Sequence, residues 1–449
     1  MTMSGMLSSP RPSGPTRRRV LALAGALAAS ASASACSLTD SASDRDGSPT
    51  GTITFWGWAK GTREAVDAFN AANSDLRVEF QEIPSGVAGG YAKISEALKA
   101  GTGPDLFNVE YLQLLDYVTR GQVKEITKAL PAGAQDRYLP QAMELTTYRR
   151  AVWALPLDVA PQLFFYRKDV FARAGVSVPK TWDEFRTAAQ RIRQVEPNAR
   201  IATFFPDDPA TFAAFAWQGG AHWFTGFGDT WSINVADPPS RLVAAFWERL
   251  IRDDLVRVMP SFSPEWTASL QKGETLGYLG ASWGGGVLGS SVPDGAGKWA
   301  AAPMPTWGDQ PTSGMLGGST FAVAKNSRKT AAAVRFALWA TTTAEGIQAR
   351  IDAGTSSMLP AAPNLVSVAK QAFKSPFFQG QDLYALSAKA AEAVQPGWQW
   401  GPATMRTHAS LKSSFASIRP GNASIESALE AAEQFSVAEL RKEGFNVMG

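Results

Sequence analysis

Seven tryptophans stand beside glycine or proline in segments that lack helical spacing: Trp56, Trp58, Trp217, Trp283, Trp307, Trp398 and Trp400. An indole on a loop is a flat, rigid apolar plate with a polar N–H at its edge. Such a plate stacks on a ring that has one C–H face and hydroxyls around its rim, as a pyranose does. Carboxylates would take the hydroxyls, because charged acceptors make the stronger hydrogen bonds. Two carboxylates are placed for this, Glu110 after Asp105-Leu106-Phe107-Asn108-Val109 and Asp158 after Pro156-Leu157. The competing reading is structural: a loop indole can plug the edge of a core, and a carboxylate at a helix start serves the helix dipole, which suits Glu110. Trp182, Trp247 and Trp339 fall at helical spacing, where core packing is expected.

Other chemistry is poorly supplied. The chain has one cysteine, Cys36, and two histidines, His222 and His408, so neither an intrachain disulfide nor a Cys/His zinc cluster can form. No catalytic, metal-ligating or cofactor-binding motif is found, and metal sites or acid-base pairs built from carboxylates stay open. His222, between Ala221 and Trp223, is expected as a polar residue of a cleft or core. Gly284-Gly285-Gly286-Val287-Leu288-Gly289 fits G-x-G-x-x-G, but Ser290, Ser291, Pro293 and Gly295 follow and are expected to break the helix that a dinucleotide site needs.

The elements that must hold these residues alternate. Ile53 to Trp56, Val78 to Phe80 and Asp105 to Val109 read as strands. Ala65, Val66, Phe69 and Ala72, then Tyr91, Ile94, Ala97 and Leu98, then Tyr111, Leu114, Leu115 and Val118 recur at helical spacing. This β-α-β-α-β-α order predicts a mainly parallel sheet with helices on both faces and ligands at the carboxyl ends of its strands. The alternation resumes after residue 150, with strands near Trp153–Leu157 and Leu163–Tyr166, a capping box at Thr181 and Glu184, and Ser263-Pro264 as a helix start. Two α/β lobes with a cleft between them are expected.

At 449 residues the chain is long enough for two or three domains, and 45% hydrophobic with 18% charged residues is ordinary globular composition. Of the 43 Lys and Arg, four (Arg11, Arg17, Arg18 and Arg19) precede residue 36, where none of the 40 Asp and Glu stands. The remainder is almost neutral and carries no nucleic-acid footprint. Those arginines open an apolar run that reaches Ala29, followed by small residues up to Ala35 and then Cys36. Residues 1–35 read as a signal peptide, twin-arginine-like, too short in its apolar part to span a bilayer. Ala33-Ser34-Ala35-Cys36 resembles a lipobox, departing from it at Ala33, so Cys36 is the expected lipidation site. Residues 36–50 are polar and read as a flexible tether.

Several segments together resemble the extracellular solute-binding proteins, family 1, of bacterial ABC importers, the sugar-binding lipoproteins of actinobacteria in particular. They are Ile53-Thr54-Phe55-Trp56, residues 103–111, residues 155–185, Ala302-Pro303-Met304-Pro305-Thr306-Trp307, Leu316-Gly317-Gly318-Ser319-Thr320 and Trp398-Gln399-Trp400-Gly401-Pro402. The resemblance implies an α/β, two-lobed periplasmic-binding-protein-like fold of type II, each lobe a mainly parallel sheet flanked by helices and hinged around a central cleft. One lobe would hold residues 51–158 and 319–370, the other 159–318 and 371–449. It implies ABC permease subunits with a cytoplasmic ATPase as partners; with the loop tryptophans and carboxylates a carbohydrate ligand is expected, no cofactor is expected, the lipobox places the exported protein at the outer face of the membrane, and a monomer is the default expectation. It places Asp158, Trp283, Trp398 and Gly318 in or beside the cleft. With the residues read directly, the expected site is Trp56, Trp58, Glu110, Asp158, Trp217, Trp283, Gly318, Trp398 and Trp400. A glycoside hydrolase with a carboxylate pair, a non-sugar polyol or glycerol phosphodiester as ligand, and a surface adhesin are the alternatives.

Overall fold

The structure, a computed structural model, describes residues 47–352, 356–373, 376–419, 422 and 424–448. The signal segment and Cys36 lie outside the described residues.

The alternation expected at the start of the body is present. Strand β1 (Gly51–Gly57) buries Ile53 and Phe55 completely on one face and is followed by helix α1 (Thr62–Ala72). Thr62, Ala65, Val66 and Phe69 form the buried stripe of α1 at three- and four-residue spacing. Strand β2 (Leu76–Glu82), helix α2 (Gly90–Ala100), strand β3 (Leu106–Glu110) and helix α3 (Tyr111–Thr119) follow. Helix α2 stops where Gly101 takes a left-handed conformation. β1 lies between β2 and β3 and pairs with both in parallel. The strands Ser319–Val323 and Ala154–Pro156 complete the sheet, and both of their pairings are antiparallel.

A second sheet centres on the strand Gln162–Arg167, which pairs antiparallel with Gly277–Ala281 on one side and Trp299–Pro303 on the other. Strand direction is therefore more mixed than the alternation predicts. The parallel character is kept by β1 to β3 and by two short pairs, Ala202–Phe204 with Val256–Val258 and Thr230–Ile233 with Asn446–Met448. The physical reason is that the chain returns to the first sheet late, at Ser319, and runs against β3 to do so. The helix start forms at Thr181, whose Oγ1 accepts from the N–H of Glu184 at 3.1 Å, while Glu184 Oε2 accepts from the N–H of Lys180 at 2.7 Å, one residue before the N-cap that a capping box would bond.

The glycine run after Trp283 departs from the sequence reading, because Gly284–Ser291 is an α-helix. Its glycines let the backbone pack directly on aromatic rings: a Cβ on Gly284 would stand 2.7 Å from Cε1 of Tyr278. Docking onto the core outweighs the poor helix propensity of glycine. The glycines form the helix itself instead of a loop ahead of it, so the dinucleotide arrangement is absent on that ground.

Between the two sheets the chain crosses as adjacent segments. Leu157 N donates to Ser319 O at 2.8 Å, Leu316 N to Ala160 O at 2.9 Å and Gln162 N to Gly314 O at 3.0 Å. Gly318 sits in this junction at φ 97°, where a side chain is strained, and a Cβ there would meet the Tyr111 ring at 2.7 Å. Gly318→Ala should lower the stability of the body by about 1–3 kcal/mol. Thermal denaturation checks this, and an unchanged melting temperature would contradict the tight junction.

Candidate functional site

A cavity of about 1190 Å³ is lined by residues that end or follow strands of both sheets, among them Trp58, Glu110 and Trp283. One wall comes from the carboxyl ends of the first sheet. Trp58 stands just past β1, its ring set edge-on to Tyr91 with centroids 5.6 Å apart. Glu110 ends β3 and begins α3, yet it makes no capping bond. It instead accepts a hydrogen bond from the Tyr91 hydroxyl and lines the cavity. Burial raises the pKa of Glu110, opposed by that hydrogen bond.

Asp158 lies at the crossing. Its Oδ1 accepts from Ser319 N at 2.7 Å, and its backbone oxygen accepts from the Tyr111 hydroxyl at 3.0 Å. Burial raises its pKa from 3.8 to about 6. Arg350, fully buried on the same wall, does not pair with it; Nη1 donates to Thr62 Oγ1 at 2.8 Å and to Lys60 O at 3.2 Å. Nε and Nη2 of Arg350 have no partner among the described residues. Burial lowers the guanidinium to about 10, with the Asp158 charge acting in the opposite sense.

The other wall comes from the second sheet and its helices. Asp207 and Asp208 precede the helix Pro209–Gln218. Asp208 accepts from Thr211 Oγ1 at 2.7 Å, and burial raises its pKa. Trp283 begins the helix Gly284–Ser291 and is pinned by its N–H, which donates to Leu316 O at 3.1 Å. Phe262 and the helix Thr404–Phe415, through Met405, His408 and Lys412, complete this side. His408 is buried, which holds it near pKa 4 and therefore neutral, with Nε2 unpartnered.

Of the residues expected from the sequence, Trp58, Glu110, Asp158, Trp283 and Gly318 line this cavity. Trp56, Trp217, Trp398 and Trp400 do not. Trp56 is inside β1, covered by α2, with the Lys93 ammonium 4.9 Å above its ring. Trp217 is in the last turn of the helix Pro209–Gln218, not on a loop, and that helix is apolar on nearly every side. It stacks on Trp398 at 5.1 Å and 6°, and Trp400 meets both edge-on. All three are buried and form a backing for His408, whose ring is 5.9 Å from that of Trp400. Trp307 packs on Trp182 and Phe246. His222, expected in a cleft or core, is exposed, with its Nδ1 3.1 Å from Gly397 O. The sequence reading missed Asp207, Asp208, Phe262, Arg350 and His408. Asp207-Asp208-Pro209 carries the same signal as Asp158, carboxylates after a strand. Arg350 and His408 are interior helix residues with no such signal.

Flat apolar plates on both walls, with carboxylates and an unpaired guanidinium between them, suit a ligand that has an apolar face and a rim of hydroxyls. A model of the family described as bacterial extracellular solute-binding protein matches residues 57–347. The arabinooligosaccharide-binding protein of Bacillus subtilis (strain 168) is 26% identical over 312 residues, which is 66% of this chain and 70% of that protein. The solved ABC transporter associated binding protein from B. animalis subsp. lactis Bl-04, in complex with beta-1,6-galactobiose, is 26% identical with a TM-score of 0.75, covering 89% of this chain and 99% of that one. The galacto-N-biose-/lacto-N-biose I-binding protein from Bifidobacterium longum is 23% identical with a TM-score of 0.78, covering 89% of this chain and 100% of that one. The fold is thus the two-lobed one of these binding proteins.

Asp158 makes the cleft sensitive to pH. Its folded pKa lies above the 3.8 of the unfolded chain, so its contribution to stability falls as pH rises from about 4 to about 6 and stays low above that. The loss is on the order of 2–3 kcal/mol. Asp158→Asn can keep the bond from Ser319 without the charge. The unliganded variant should melt above wild type at pH 7.5, with the gap closing near pH 4. A gap that widens toward pH 4 would contradict the assignment.

Proposed function

Because this chain belongs to the bacterial extracellular solute-binding proteins, we propose that it captures a sugar or oligosaccharide between its lobes and delivers it unchanged to an ABC permease driven by a cytoplasmic ATPase. The family is extracellular, so the protein is exported. The observation that carries the ligand class is the pairing of Trp58 and Trp283 on opposite walls with Glu110, Asp158 and Asp208 around them. Indole plates take the C–H faces of a sugar ring, and the carboxylates take its hydroxyls. The names of the relatives, with their arabinooligosaccharide, galactobiose and lacto-N-biose ligands, support the same class.

The lobes are taken as residues 51–158 with 319–370, and 159–318 with 371–449, hinged where the segments near Asp158 and Gly318 cross. Contacts to both walls exist only when the lobes are closed, so ligand shifts the balance towards closure. Moving it from 1:99 to 99:1 takes about 5.5 kcal/mol of differential binding. A permease would recognise the closed outline. The lipid-anchored form, with Cys36 as the modified residue and residues 36–50 as tether, completes the reading.

Buried carboxylates are also what a glycoside hydrolase needs, but the family and the structural neighbours are binding proteins. Oligosaccharides incubated with the pure body should yield no new reducing ends. In a thermal-shift screen at least one saccharide should raise the melting temperature, since a ligand that binds only the folded state stabilises it. Trp283→Ala should abolish most of that shift, and a shift as large as wild type would remove Trp283 from the site. Cys36→Ser should move the protein from the membrane fraction to the medium, whereas retention on the membrane would contradict the anchor.

A further inference from the structure

Three connections meet at the amino end of the first sheet: residues 99–105, 120–125 and 324–329. Backbone bonds tie them together. Lys124 N donates to Val323 O at 2.9 Å, Lys325 N to Gln122 O at 2.9 Å and Ala324 N to Asp105 O at 2.9 Å. They carry six cations, Lys99, Arg120, Lys124, Lys325, Arg328 and Lys329, against two carboxylates, Asp105 and Glu125. Asp105 is engaged within the fold. It accepts from Thr54 N at 2.9 Å, from Thr54 Oγ1 at 3.1 Å and from Ser327 Oγ at 2.7 Å. Lys99, Arg120, Lys325 and Arg328 are exposed. Lys99, Arg120 and Lys325 line a recess of about 390 Å³ with no carboxylate among its described lining residues. On a body that is almost neutral as a whole, this face concentrates positive charge.

Helix preferences explain part of it. Lys99 and Arg120 stand at the carboxyl ends of α2 and α3, where a cation suits the helix dipole, and Arg120 pairs with Asp116 at 3.1 Å. Lys325, Arg328 and Lys329 do the opposite. They precede the helix Thr330–Thr342, with Lys329 at its N-cap. That end of a helix is positive and favours acidic residues. Three cations there run against local preference, and natural sequences break such preferences at functional sites.

The position of the face identifies its partner. It lies at the opposite end of the first sheet from Trp58 and Glu110, so it points away from the cavity they line. The chain enters the body beside it. Pro49, two residues before β1, accepts from Arg335 Nη1 at 3.2 Å, and Arg335 is about 9 Å from Lys329 along the same helix. Residues 36–50, which lead to this point, are the tether in the lipid-anchored reading.

We propose that this face docks on an anionic lipid surface, so that the anchored protein rests on the base of its first sheet with the cavity turned away from the membrane. This rests on the anchored reading for its setting and adds an orientation to it. Each cation held near an anionic surface strengthens the contact about fivefold. A few such cations make a contact that salt reverses, so the body can lift again to deliver its ligand.

The test is flotation of the Cys36→Ser protein with vesicles of phosphatidylcholine, alone or with about one-third phosphatidylglycerol, at about 0.02 M and about 0.3 M salt. The protein should float with the anionic vesicles at low salt only, and with the neutral ones at neither. Lys325→Glu with Arg328→Glu should weaken that binding by at least about 25-fold. The melting temperature of this variant should not fall, since acids suit a helix start. Lys272→Glu, exposed after the helix Pro264–Gln271, should bind as the parent does. The inference is overturned if anionic vesicles are not bound, if neutral ones are bound equally, if the double variant binds as the parent does, or if Lys272→Glu weakens binding as much. It is also overturned if soluble polyphosphate is bound and anionic vesicles are not. The anchor fails separately, by retention of Cys36→Ser on membranes washed at high salt.

Discussion

The site depends on a half-buried carboxylate where the chain crosses between the two sheets. Asp158 is held by Ser319 N–H and carried on a backbone tied to Tyr111. Arg350, the cation near it, is engaged by Lys60 and Thr62 and keeps two N–H groups unpartnered. A half-buried carboxylate and a buried guanidinium that do not satisfy each other are costly. In a cleft that cost is borne by the unliganded protein, and a ligand with both donors and acceptors between the two groups would relieve it. In the proposed function, the residues that meet the ligand are also those about which the lobes turn.

Around this polar floor the plates are rigid. Trp283 is tied by its N–H to Leu316 on a crossing segment, and Trp58 rests on the edge of Tyr91, which in turn donates to Glu110. Stacking faces and hydrogen-bond acceptors are therefore set by shared contacts on each wall. Little side-chain entropy remains to be lost on binding, which favours affinity. The difference between open and closed states then comes from whether both walls touch the ligand at once.

Much of this was legible in the sequence because it obeys local rules. Period-three and period-four apolar stripes located α1 to α3, Thr181 and Glu184 located a helix start, and carboxylates after strands located Glu110 and Asp158. What local rules cannot supply is which side of an element faces the cleft. Trp398 and Trp400 stand beside glycine as Trp58 and Trp283 do, yet they pack with Trp217 in the core, because the helix Pro209–Gln218 that carries Trp217 is apolar on nearly every side. Arg350 and His408 were missed because a lone polar residue on a buried helix face declares nothing until its partners, or their absence, are seen. The helix Gly284–Ser291 was missed because propensity opposes it and tertiary packing decides it.

The central claim is that the lobes close on a carbohydrate. Small-angle X-ray scattering from the mature body, with and without a saccharide that stabilises it, tests this most directly. The account predicts a smaller radius of gyration in the presence of the sugar and a return to the larger value when the sugar is removed. Identical scattering curves at saturating sugar would contradict it.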